Sequence, residues 1–117
     1  MSGTQASLLH VPLADGTLVA TNDLPEKELI RSLLATSDVL GTGWFAADTA
    51  GAKEGRTVLV VGDGAVGLLG MLSAKQLGAE RIVAMSRHSS RQNLAREFGA
   101  LTLWPNEVMK VLRTSRS

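Results

Sequence analysis

The residues with the most readable chemistry are Gly62-Asp63-Gly64-Ala65-Val66-Gly67, which have the spacing G-x-G-x-x-G. They follow a β-branched apolar run, Thr57–Val61, and open an apolar segment of helical character. A glycine turn in that setting is suited to holding a diphosphate against backbone N–H groups. Gly62 permits the tight turn and Gly64 lets the backbone approach the anion. Gly67 lets the following helix pack close to the strand. The turn from Ala65 and Val66 onward is a helix N-terminus, with unpaired N–H groups and the positive end of the macrodipole. The same spacing also occurs in plain strand-to-helix turns. The strand before it and the helix after it are what point to a dinucleotide site.

A second group decides which dinucleotide. An NAD site usually places Asp or Glu at the end of the second strand, about twenty residues on, to accept from the ribose 2′-hydroxyl. Here that place holds Ser86, followed by Arg87, with Arg91 one helical turn later. A hydroxyl and guanidinium groups bind a 2′-phosphate that a carboxylate would repel. The reading is a clamp for NADP(H) in preference to NAD(H). Arg87 and Arg91 as ordinary surface arginines is the alternative.

These residues need a scaffold, and the pattern supplies one. Thr57–Val61, bounded by Gly55 and Gly62, reads as a strand buried on both faces of a parallel sheet. Ala65 to Leu77 reads as a helix with Val66, Leu69, Ser73 and Leu77 on one face and Gly78 as its stop. Arg81–Met85 is a second strand. Ser89 and Gln92 have capping-box spacing, which opens a helix through Phe98 that Gly99 ends. Strand, helix, strand, helix is a βαβα unit, whose parallel strands need a crossover. Leu101–Trp104 has the residues of one more strand, stopped by Pro105. Upstream, Ser7–Leu13 and Thr17–Ala20 read as strands around an Ala14-Asp15-Gly16 turn. Asp23 is the expected cap of a helix with Pro25 in its first turn and Leu29, Ile30, Leu33 and Leu34 along one face. Gly41-Thr42-Gly43 reads as a break before a short helix over Trp44–Ala50.

Composition bounds the function. The 117 residues carry twelve basic and eleven acidic side chains, for a net charge of +1. That balance excludes a basic stripe for nucleic acid or for a membrane surface. With no cysteine there is no disulfide and no cysteine-ligated zinc, which fits a reducing, cytoplasmic setting. No apolar run approaches a membrane span, and the N-terminus lacks signal-peptide character. Aromatic content of 3% favours a core of small aliphatic side chains and glycine, as in α/β proteins.

Asp38-Val39-Leu40-Gly41-Thr42-Gly43-Trp44, then Thr57 to Gly67, then Ala84-Met85-Ser86-Arg87 together resemble the zinc-dependent alcohol dehydrogenases of the medium-chain dehydrogenase/reductase superfamily. The likeness runs over about residues 3–100 and is nearest to bacterial NADP-type secondary alcohol dehydrogenases. It implies a partial Rossmann unit over residues 41–100, preceded over residues 1–40 by a remnant of a GroES-like catalytic domain and its linking helix. It also implies that a zinc ion in the parent enzyme polarises an alcohol or carbonyl oxygen while hydride passes to or from the nicotinamide. Asp38 falls on a carboxylate zinc-ligand position, and Thr42 falls on a threonine that lines the nicotinamide pocket. By residue type alone, Asp38 would more simply cap the turn that follows it. The parent is expected to be a homo-oligomer acting on a small molecule.

The departures from that family point to a fragment. Its remaining zinc ligands, typically a cysteine and a histidine, belong to a segment upstream of this sequence, and His10 and His88 occupy neither position. One carboxylate does not hold a catalytic zinc, which normally takes three protein ligands. The tail suggests an origin. Permitted codons for Leu101–Arg113, read from the last base of the Ala100 codon, can encode Thr-Asp-Ile-Val-Ala-Glu-Arg-Gly-Asp-Glu-Gly-Val-Ala. That is the family-like continuation after Phe-Gly-Ala, so residues 101–117 are expected to be an out-of-frame tail left by a one-base deletion near codon 100. Residues 1–25 and 101–117 are expected to be the least ordered. Two other readings are a non-catalytic NADP(H)-binding module and a zinc-free quinone reductase relative, the latter disfavoured by Asp38.

Overall fold

A computed structural model of the chain describes residues 5–104. In chain order the elements are α1 (Ala14–Thr17), α2 (Lys27–Thr36), α3 (Val39–Thr49), β1 (Thr57–Val61), α4 (Ala65–Gln76), β2 (Arg81–Met85), α5 (Ser89–Glu97) and β3 (Thr102–Trp104). The three strands form one parallel sheet in the order β1-β2-β3. The fold is α/β with the expected Rossmann-type βαβα run, extended by a third strand. Val58 and Val60 pair in register with Ile82 and Ala84, and Val83 and Met85 pair with Thr102 and Trp104. β3 forms because Thr, Leu and Trp suit a pleated surface. The Leu101 N–H donates to the Ile82 carbonyl at 2.9 Å, and Arg81 Nη2 donates to Thr102 Oγ1 at 3.2 Å.

The core is made of small and aliphatic side chains, as the low aromatic content requires. Leu68, Met71 and Ala74 of α4 are buried in one cluster with Ile82 and Ala84 of β2, and Val58 and Val60 of β1 pack against it. Ala47 of α3, Ala52, Ala95 of α5 and Ala100 complete the cluster. Ser73 is buried without penalty because its hydroxyl donates to the Leu69 carbonyl at 2.7 Å. The buried face of α4 is therefore Leu68, Met71, Ser73 and Ala74. Val66, expected to be inward, is 42% exposed.

The structure also corrects several local expectations. Gly41-Thr42-Gly43 does not break a helix: α3 runs through it. The reason is tertiary. A Cβ on Gly43 would lie 2.7 Å from the Gly70 nitrogen and 2.8 Å from the Leu69 carbonyl carbon, so glycine there lets α3 cross α4 at backbone contact. β1 is not buried on both faces, since Leu59 is 55% and Val61 74% exposed. Among the described residues β1 borders β2 alone, and the Leu59/Val61 face is left uncovered. Ser7–Leu13 and Thr17–Ala20 form no strand, because a strand needs a ladder partner and the described chain offers them none. The expected turn there is instead the short α1.

α2 starts at Lys27 and not behind Asp23, in keeping with the bias of Pro25 against helical geometry at Leu24. Of its expected apolar face Leu33 is half-buried, while Leu29, Ile30 and Leu34 are exposed. No capping box forms at α5. His88 is the N-cap, and the Gln92 side chain turns back to donate from Nε2 to the Ser86 carbonyl at 3.1 Å. Among the described residues no helix is long and apolar enough to cross a membrane.

Candidate dinucleotide site

The glycine turn is built as its residue types require. β1 ends at Val61, and Gly62 takes φ +111°, a conformation that side-chain-bearing residues rarely adopt. Its N–H donates to the Met85 carbonyl at 3.2 Å, which carries the β1–β2 ladder into the turn. Gly64 is the extended N-cap of α4, and its carbonyl accepts from the Leu68 N–H at 2.9 Å. The N–H groups of Ala65, Val66 and Gly67 precede that bond and have no intrahelical acceptor. A Cβ placed on Gly64 would meet nothing within 4 Å, so the backbone there faces open space. A Cβ on Gly67 would run into the Gly62 carbonyl oxygen, 3.0 Å from its carbon and 3.9 Å from Val60 Cγ1. Gly64 leaves room outside the turn, while Gly67 removes bulk within it.

The end of β2 is joined to this turn by a residue that the spacing did not single out. Ser86 is buried, and its hydroxyl donates to Asp63 Oδ2 at 2.6 Å. Arg91 Nη1 donates to Asp63 Oδ1 at 3.2 Å and forms an ion pair with it. The Ser86 hydrogen bond, assisted by the Arg91 guanidinium, holds the Asp63 carboxyl below the usual carboxylate range, against the opposing effect of burial. Ser86 and Arg91 are thus brought together, with Arg87 exposed beside them in the chain. Asp63 is separated from these partners by 23 and 28 residues. Its one signal in the sequence was an acid at the first variable position of the glycine pattern.

Thr42 and Asp38 stand outside this cluster. Thr42 lies on α3, and its hydroxyl approaches the Asp38 carbonyl at 3.3 Å. Asp38 is exposed at the start of α3 and makes no side-chain cap bond, so neither it nor Thr42 is hydrogen-bonded to Asp63, Ser86 or Arg91. The simple capping role for Asp38 is therefore not realised through its side chain.

No family model matches the sequence. The chain is 35% identical over 116 residues to a "Probable zinc-binding alcohol dehydrogenase" of Mycobacterium tuberculosis, covering 99% of this chain and 29% of that protein. It is 36% identical over 98 residues to an NADP-dependent isopropanol dehydrogenase of Entamoeba histolytica, covering 84% of this chain and 26% of the relative. Among solved structures, a zinc-dependent alcohol dehydrogenase from Streptococcus pneumonia superposes with a TM-score of 0.70 at 26% identity, over 87% of this chain and 28% of that one. This stretch of sequence belongs to the zinc-type alcohol dehydrogenases. It spans between a quarter and a third of the length of these relatives.

Within that family the two ligands expected of the site fare differently. The glycine turn fits a dinucleotide: open space at Gly64 lies beside N–H groups that no helix carbonyl takes. Zinc does not fit the described residues. No three His, Cys, Asp or Glu side chains gather among them, and Asp38 stands alone.

Proposed function

We propose that this part of the zinc-type alcohol dehydrogenase fold binds the diphosphate and adenosine ribose of a nicotinamide dinucleotide, NADP(H) in preference to NAD(H). The backbone N–H groups of Ala65, Val66 and Gly67 receive the diphosphate at the positive end of α4. Gly62 sets the turn and Gly64 leaves the approach open. Ser86, Arg87 and Arg91 surround the place of the 2′-phosphate, for which guanidinium groups are good partners. Thr42 lines the nicotinamide side and Asp38 supplies a carboxylate to the zinc centre of a whole enzyme. In that enzyme the bound cofactor supplies hydride to, or takes it from, a small alcohol or carbonyl compound. Residues 1–40 then belong to the end of the catalytic domain and its linking helix, and residues 41–100 to the first half of the cofactor domain. The whole enzyme would be a homo-oligomer.

The observation that carries this reading is the open backbone at Gly64, where a Cβ meets no atom within 4 Å, at the N-terminus of α4 with its N–H groups that no helix carbonyl takes. Titration of the chain with NADPH and NADH, followed by quenching of Trp44 and Trp104, tests it. Saturable binding is expected, tighter for NADPH. Gly64→Ala is expected to keep the circular-dichroism spectrum and lose the binding, because its Cβ fills only the space meant for the ligand. Tighter NADH binding would reject the 2′-phosphate clamp. Unchanged binding by Gly64→Ala would reject the turn as the site.

A further inference from the structure

The strand end lacks the acid expected of an NAD site, yet a carboxylate reaches the same place from another element. Asp63 leaves the glycine turn and lies against Ser86 at 2.6 Å and Arg91 at 3.2 Å. Resting on the NADP(H) reading of this site, we propose that Asp63 is a specificity-determining residue: its carboxylate occupies the Ser86 hydroxyl proton and one arm of Arg91, and so limits the preference for a 2′-phosphate and keeps the pocket open to a plain ribose.

The argument is one of hydrogen-bond inventory and charge. A serine hydroxyl has one proton. Ser86 donates it to Asp63 over a short bond, and its other contact, the His88 carbonyl at 3.5 Å, is also an acceptor. Toward an incoming oxygen, Ser86 therefore offers lone pairs. A ribose 2′-hydroxyl can donate to those lone pairs or to Asp63, whereas a 2′-phosphate dianion, the main form at neutral pH, has no proton to give. Gln92 holds the Ser86 carbonyl at 3.1 Å, which restrains the serine backbone from swinging away. Asp63 is itself fixed, with a side chain only 11% exposed, while Arg91 is 54% exposed and keeps further N–H groups for a ligand. A phosphate of charge near −2 seated on Ser86 would lie within about 5 Å of the carboxylate. Repulsion at that range, screened by water and by Arg91, is worth about tenfold in affinity.

The test compares equilibrium dissociation constants of NADPH and NADH for the full chain and for Asp63→Asn, each checked by far-UV circular dichroism. Asp63→Asn keeps the shape and removes the charge. It is expected to tighten NADPH about tenfold while NADH stays level or weakens. Asp63→Ser, uncharged and still hydrogen-bonding, is expected to move the ratio the same way and serves where Asn does not fold. An unchanged NADPH/NADH ratio in a folded variant overturns the inference and leaves the NADP(H) reading intact. So does weaker NADPH binding, which would make Asp63 a positioning residue for Arg91. A parent chain that prefers NADH, shifted toward NADPH by Asp63→Asn, overturns the NADP(H) reading and supports the inference. No saturable binding of either cofactor overturns both.

Discussion

At the crossing of α3 over α4 a single methyl group should push two helices apart. In Gly43→Ala the new Cβ would stand 2.7 Å from the Gly70 nitrogen, 2.8 Å from the Leu69 carbonyl carbon and 3.2 Å from Gly70 Cα. Non-bonded carbons settle at about 3.5–4.0 Å, so the helices must part by nearly 1 Å. The obstructing atoms are backbone and cannot turn aside. Overpacking of this kind costs about 1–3 kcal/mol. Alanine recovers about 1 kcal/mol of that through its better helix propensity. The net expectation is a loss of up to about 2 kcal/mol, or a fall in Tm of roughly 4–8 °C per kcal/mol for a domain of this size. Two comparison variants isolate the cause. Gly41→Ala, on the same helix, meets no atom within 4 Å, and Gly70→Ala meets the Gly43 carbonyl oxygen at an ordinary 3.9 Å. Both should be neutral or stabilising by up to about 1 kcal/mol. Urea unfolding followed by far-UV circular dichroism measures all three. A Gly43→Ala chain as stable as its parent, or a Gly70→Ala chain equally damaged, would refute the reasoning.

Three further outcomes are expected. Gly67→Ala drives its Cβ into the Gly62 carbonyl, and should lose about 1–3 kcal/mol of stability together with NADPH binding; a normal urea midpoint would count against the packing role. The Asp63 carboxyl is held low in the folded chain, so its contribution to stability is complete above the ordinary carboxylate pKa and is lost as pH falls through the folded value. The advantage of the parent over Asp63→Asn in urea midpoint should therefore shrink on acidification, and an advantage that grows would reverse the sign. The gene, read in the register shifted by one base after codon 100, should encode Thr-Asp-Ile-Val-Ala-Glu-Arg-Gly-Asp-Glu-Gly-Val-Ala. A nucleotide sequence that does not would reject the out-of-frame tail.

The sequence was most legible where local and tertiary demands agree. Thr57–Val61 and Arg81–Met85 are strands at the expected bounds, the first a β-branched run closed by Gly62 and the second a short apolar run around Ile82-Val83. α4 lies where expected, and Gly78 and Gly99 follow their helices with φ of +89° and +117°. Residues 105–117 of the expected tail, like residues 1–4, lie outside the described residues. The misreadings have several physical causes. Gly43 serves a helix crossing that no window around it reveals. Gln92 gave up the capping box for the Ser86 carbonyl. Leu29, Ile30 and Leu34 of α2 and Leu59 and Val61 of β1 have the right periodicity, but among the described residues they are left exposed. Asp63 was hidden most completely, because its meaning depends on which residues the crossover brings to the end of β2.

The central claim is that the Gly62–Gly67 turn receives the cofactor diphosphate, and the most direct measurement is a titration of the 15N-labelled chain with NADPH followed by amide NMR. Saturable shifts centred on Gly64 to Gly67, with smaller ones at Ser86 and Arg91, are the predicted result. Saturable shifts that leave those amides unmoved, or no saturable shift at all, would contradict the account.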